Sequence, residues 1–136
     1  MSYDIYRELI LDHYKNPRNY GVLENPDLRA RDANPLCGDV IELQMKLDGE
    51  GTVREVRFSG EGCAISRASA SMLTEVIQGK TVEELRGIGK PEVLESLGNP
   101  ELGPARVKCA LLSLKVLKLA VYSYLGQAME KDPELP

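Results

Sequence analysis

The 136-residue chain has no tryptophan, one phenylalanine and one histidine. With so few rings the core must rest on Leu, Val, Ile and Ala. It has no run of apolar residues long enough to span a bilayer and no signal-peptide h-region at its start, so the protein is expected in the cytoplasm, where thiols stay reduced. It has no excess of positive charge. The net charge of −4, from 17 basic and 21 acidic residues, argues against nucleic-acid and membrane-surface partners. Three cysteines are an odd number, so a complete disulfide framework is excluded. There is also no internal repeat or low-complexity segment. The remainder is an ordinary globular composition, 43% hydrophobic and 28% charged, at a length that suits one domain, residues 1–136, with a real core.

The pattern along the chain indicates an α+β protein, a small antiparallel sheet packed against several helices. Ile5, Leu9, Ile10 and Tyr14 form a helical stripe over residues 4–14, which Pro17 ends. Residues 22–36, with Pro26, Pro35 and mixed charges, read as irregular. From Val40 the period becomes two: Ile41, Leu43, Met45 and Leu47 alternate with Glu42, Gln44 and Lys46. A turn at 48–51 returns the chain through a second strand, 53–59, whose inner face carries Val56 and Phe58. A helix over 64–78 follows, with Ala70, Leu73 and Ile77 as its stripe. Thr81 and Glu84 make a capping box for a short helix, and Pro91 opens another that closes at Gly98. The final helix is expected over about 108–129, apolar on most of its girth, with Lys115, Lys118 and Tyr122 as a polar strip.

Each cysteine falls at an element boundary. Cys37 precedes the first strand, Cys63 precedes a helix, and Cys109 is expected in the first turn of the last helix. Single free cysteines are often small core residues, and the separations of 26 and 46 residues are not the close pairs of a zinc ribbon. Local context carries the functional reading instead. Cys37 and Asp39 are two apart in what reads as an extended segment, with Gly38 between them. Helix N-termini at Cys63 and Cys109, with Arg106, Lys108 and Arg67 nearby, favour anionic sulfur. Cys37, Asp39, Cys63 and Cys109 thus make a four-ligand set for zinc or for an iron–sulfur cluster. The carboxylate is the harder, more labile ligand.

The segments 12–19 (DHYKNPRN), 34–39 (NPLCGD), 60–71 (GEGCAISRASAS) and 106–110 (RVKCA) resemble the U-type iron–sulfur scaffold family, IscU, SufU and the N-terminal domain of NifU. The resemblance spans nearly the whole chain. It implies an IscU/SufU-like fold that takes persulfide sulfur from a cysteine desulfurase, acquires iron, and passes a transient [2Fe–2S] cluster to recipient apo iron–sulfur proteins. It makes Cys109 the persulfide acceptor and Asp39 the carboxylate linked to cluster release.

The chain departs from the family pattern in three places. Lys108 stands where IscU-type members carry a histidine, as in SufU-like proteins, which makes Asp39 the fourth ligand. The stretch between Cys63 and Cys109 lacks the long insertion of SufU proteins. The segment 102–106 (LGPAR) replaces the Leu-Pro-Pro-Val-Lys offered to an Hsp70-type chaperone, which argues against that partner. Three functions compete: a non-enzymatic cluster scaffold, a zinc-dependent sulfurtransferase using the same four residues, and a zinc-stabilised interaction domain without chemistry. Whether a cluster bridges two chains in a homo-oligomer stays open. His13 reads as a surface or packing histidine, Asn16 to Gly21 as a helix stop with docking potential, and Ser66, Ser69 and Ser71 as packing and capping residues.

Overall fold

The structure is a computed structural model, which describes residues 2–35, 38–98 and 103–126. Helix α1 (Ser2–Lys15) is followed by a three-stranded antiparallel meander, β1 (Leu28–Asn34), β2 (Asp39–Leu47) and β3 (Val53–Glu61), in the order β1-β2-β3. Four helices complete the chain: α2 (Ala64–Ile77), α3 (Val82–Arg86), α4 (Lys90–Ser96) and α5 (Pro104–Leu125).

The expected alternation in β2 is observed: Ile41, Leu43 and Met45 are fully buried on one face. In β3, Val53, Val56 and Phe58 meet them across the sheet. Val53 and Val56 are three apart yet both point inward, because a register shift between Lys46 and Leu47 inserts an extra residue. Helix α5 lies over β1 and β2 and also packs on α2, α3 and α4, as its apolar girth requires. Leu114, Val116 and Leu117 lose all exposure in that setting, each contributing roughly 1.5–3 kcal/mol. A second, smaller cluster of Ala68, Met72, Leu97 and Ala110 receives Leu9 and Ile10 of α1. Among the described residues no helix is long and apolar enough to cross a membrane.

Three expectations need correction. Residues 28–34, read as irregular, form strand β1. Its side-chain pattern is weak, with Leu28 as its only large apolar residue. Backbone pairing with β2, from Leu28↔Met45 to Asn34↔Asp39, makes it a strand, and the outward Arg29 and Arg31 suit a sheet edge. Helix α5 begins a full turn earlier than expected, because Gly103 is its N-cap and Pro104 occupies a first-turn position where a missing N–H costs nothing. It also stops at Leu125, closed by Gly126 in the left-handed conformation. Finally, the supposed polar strip is not a solvent face. Lys118 is fully buried and donates to the carbonyl of Arg86, one of the last carbonyls of α3, while Tyr122 is also buried. Lys115 alone of the three stays half-exposed, paired with Asp32 at 2.9 Å.

The capping box Thr81–Glu84 forms with both reciprocal hydrogen bonds. The segment after α1 is fastened to α2. Arg18 N–H donates to Ser71 Oγ at 2.8 Å, Asn19 Nδ2 donates to Thr74 Oγ1 at 3.0 Å, and His13 Nδ1 lies 2.7 Å from Ser71 Oγ. His13 is a packing histidine, and its burial lowers its pKa.

Candidate metal centre

Asp39 is the first residue of β2, and the two-residue period puts it on the same inward face as Ile41, Leu43 and Met45. The strand therefore carries a carboxylate to the end of an apolar row, where it is only 1% exposed. A buried carboxylate needs hydrogen bonds or a cation. Among the described residues, Asp39 Oδ1 accepts the backbone N–H of Cys63 at 3.0 Å. Its Oδ2 lies 3.8 Å from Cys63 Sγ.

Cys63 is the N-cap of α2, in an extended conformation, and its side chain makes no hydrogen bond to the helix it caps. The sulfur is thus turned to the site rather than to the helix. Cys109 comes from α5, with its thiol 2% exposed and facing the Asn34 amide at 3.9 Å. One carboxylate oxygen and the two sulfurs all lie within 4.8 Å of one another. Sulfurs around a tetrahedral zinc at 2.3 Å sit about 3.8 Å apart, so the donors need to close by only about an ångström. Two thiols and a buried carboxylate fit zinc or cluster iron by donor chemistry.

The sequence expectations fare differently here. Asp39, Cys63 and Cys109 are brought together from three elements, whereas Cys37 lies outside the described residues. The segment reaching Asp39 is not simply extended. Gly38 has φ +69°, and its N–H donates to the Asn34 carbonyl at 2.8 Å, folding the chain into a tight loop. Cys109 is not in the first turn of its helix: with the start at Pro104 it sits in the second turn, past the unpaired N–H groups. Of the expected positive charges, Arg106 and Lys108 are exposed, and the Arg67 guanidinium stacks over Tyr14 and Tyr20 at 5.4 and 5.5 Å. Lys108 instead borders a groove of about 250 Å³ beside the site, with Asn34, Pro35, Leu111, Leu112 and Lys115.

Sequence reasoning did not single out Asn34. It is 7% exposed, pairs in register with Asp39 across the β1–β2 hairpin, and presents its amide to Cys109. Its signal was the segment 34–39, but only the hairpin shows why the asparagine sits at that end.

Gly62 has an equally local reason. A Cβ at this position would fall 2.7 Å from Asp39 Oδ1 and 2.9 Å from its Cγ. Gly62→Ala must therefore displace the carboxylate, and zinc affinity measured by chelator competition is expected to fall at least about tenfold, the equivalent of about 1.4 kcal/mol. Unchanged affinity in that variant would remove Asp39 from the ligand set.

Comparison with known proteins agrees with this architecture. The chain is 45% identical over 133 aligned residues to the zinc-dependent sulfurtransferase SufU of Bacillus subtilis (strain 168), covering 86% of this chain and 89% of that one. It is 37% identical over 122 residues to the iron–sulfur cluster assembly scaffold protein IscU of Escherichia coli (strain K12), covering 88% and 93%. The crystal structure of the N-terminal part of a nitrogen-fixing NifU-like protein from Brucella abortus superposes with a TM-score of 0.73 at 25% identity, covering 92% of this chain and 97% of that one. The family model of the NifU-like N-terminal domain matches residues 5–131, and the chain belongs to that family.

Proposed function

We propose that the protein is a scaffold on which [2Fe–2S] clusters are assembled from persulfide sulfur and iron and then passed on. The observation that carries this reading is the convergence of two thiols and one buried carboxylate, from β2, α2 and α5, on a single point. Cys37 is the further ligand, by its place two residues before Asp39. The donor is a cysteine desulfurase and the recipients are apo iron–sulfur proteins, in a cytoplasmic setting that keeps the thiols reduced. In the loading step the Cys109 thiolate attacks the outer sulfur of the donor persulfide. A new S–S bond forms at Cys109, the donor's S–S bond breaks, and the donor cysteine leaves as a thiolate, with no net oxidation. A cluster held by three thiolates and one carboxylate then has one weaker corner, which suits delivery rather than storage.

A second reading, a zinc-dependent sulfur acceptor, is favoured by a specific observation. Lys108, at the position of the IscU-type histidine, is exposed and borders the groove, so the ligand set contains no imidazole. The 45% identity to the B. subtilis sulfurtransferase supports the same reading. Asp39, Cys63 and Cys109 would hold the zinc together with Cys37. When bound, the metal organises and activates thiolates.

Anaerobic reconstitution with ferrous iron and sulfide, followed by visible absorption, separates the two. The scaffold reading expects the charge-transfer bands of a [2Fe–2S] cluster, lost in Cys63→Ser. Tightly retained zinc with no cluster would overturn the scaffold reading, and sulfur uptake on Cys109 from a cysteine desulfurase would then select the sulfur acceptor over a structural zinc domain.

A further inference from the structure

Ser66 is 1% exposed, and its hydroxyl oxygen is buried with no hydrogen-bond partner among the described residues. Buried hydroxyls ordinarily find partners, because desolvation without one is costly. The other serines of α2 follow that rule. Ser69 donates to the Ala110 carbonyl at 2.6 Å, and Ser71 accepts from the Arg18 N–H at 2.8 Å. Ser66 therefore needs a different explanation.

Its position supplies one. Cys63, Ser66 and Ser69 are three residues apart and succeed one another down one face of the helix. The Cys63 end of that face meets Asp39 and Cys109 within 4.8 Å. The Ser69 end rests on the carbonyl of Ala110, the residue after Cys109. Ser66 stands between these two contacts along α2, on the side of the helix that meets α5 around Cys109 and Ala110. No side chain caps the N-terminus of this 14-residue helix, so its dipole also favours negative charge there.

We propose that Ser66 is a positioning residue whose hydroxyl donates a hydrogen bond to the outer sulfur of a persulfide on Cys109. The assignment rests on the sulfur-accepting step described above. A persulfide extends the side chain by one S–S bond, about 2.05 Å, and its terminal sulfur is anionic at neutral pH. In a pocket where Cys109 is buried, a donor with no partner among the described residues meets the one atom that loading adds. The bond holds the outer sulfur inside the site and away from thiols in solution.

The test uses the full chain under anaerobic conditions, with inorganic polysulfide as sulfur source and dithiothreitol as competing thiol. Persulfide on Cys109 is followed by alkylation and mass spectrometry. In Ser66→Ala its lifetime is expected to shorten about fivefold, the factor carried by one net hydrogen bond, and Ser66→Thr is expected to restore it. Zinc affinity should match the wild type. The unfolding midpoint of the unloaded variant should be equal to or above the wild-type value, because no hydrogen bond among the described residues is lost. An unchanged persulfide lifetime overturns the assignment, and so does a lowered midpoint or zinc affinity, either of which makes the hydroxyl structural. If the wild type takes no sulfur onto Cys109, the sulfur-accepting reading itself falls and this assignment with it. If the wild type loads normally and Ser66→Ala keeps sulfur equally long, only the role of Ser66 is lost.

Discussion

Cys109→Ser is expected to abolish sulfur loading. With a cysteine desulfurase and cysteine as donor, the wild type is expected to take up labelled sulfur on Cys109, and the variant at least about 100-fold less, because a serine hydroxyl without a base is not a nucleophile at neutral pH. The fold should survive. Serine is nearly isosteric, and the Asn34 amide facing the sulfur serves a hydroxyl equally well. Circular dichroism and the unfolding midpoint check this separately. Cys63→Ser is the informative contrast. It removes a metal donor while leaving the acceptor in place, so metal is lost and sulfur uptake is reduced but present. Full labelling of Cys109→Ser would move the acceptor role to another cysteine and undo the assignment.

The second large effect is expected at Asp39. With alanine there, a reconstituted cluster should leave the protein about tenfold more slowly, a difference of about 1.4 kcal/mol, read as decay of visible absorption in the presence of an apo acceptor. In the proposed function the carboxylate is the weaker corner of the site, and its oxygen also accepts the Cys63 N–H at the start of α2. Removing it has a separable cost. The Cys63 N–H loses its acceptor, so the metal-free variant should be less stable by about 1–3 kcal/mol. Asp39→Asn divides the two effects, since an amide oxygen can still accept that hydrogen bond while the charge is gone. Stability should return in Asn while slow release remains. Release as fast as in the wild type, or faster, from Asp39→Ala would end the labile-corner argument.

These two residues also show how the motif segments divide between chemistry and architecture. The segment 12–19 carries little chemistry of its own in the structure. His13, Arg18 and Asn19 tie α1 and the following loop to Ser71 and Thr74 of α2. The helix that carries Cys63 at its start is thereby held from its far end. Gly62 acts at the near end, leaving room for the carboxylate. Cys63 is thus placed by contacts along the whole of α2, so substitutions remote from the candidate site are expected to act through that helix.

Much was determined by the sequence alone. Alternation over 40–47 is enough to specify β2, because a half-buried strand has no other way to bury Ile41, Leu43 and Met45 together. Thr81 and Glu84 specify a helix start through side-chain bonds three residues apart. Asp39, Cys63 and Cys109 stood out because each was expected at an element end with glycine or a basic residue beside it. Such signals are local, and a sequence displays local relations directly.

The tertiary structure decided what depends on partners distant in the chain. Strand β1 has almost no hydrophobic signal and exists through its pairing with β2. Lys118 looks like a surface lysine until the end of α3 supplies a carbonyl for it. Cys109 lost its place in the first helical turn when Pro104 proved to begin the helix rather than precede it. The approach of Asp39, Cys63 and Cys109 to within 4.8 Å arises because the inward face of β2, the start of α2 and the second turn of α5 end at one corner of the core. No spacing in the chain encodes that corner. Packing of the helices on the sheet does, and the same packing buries the hydroxyl of Ser66, three residues after Cys63, with no partner among the described residues.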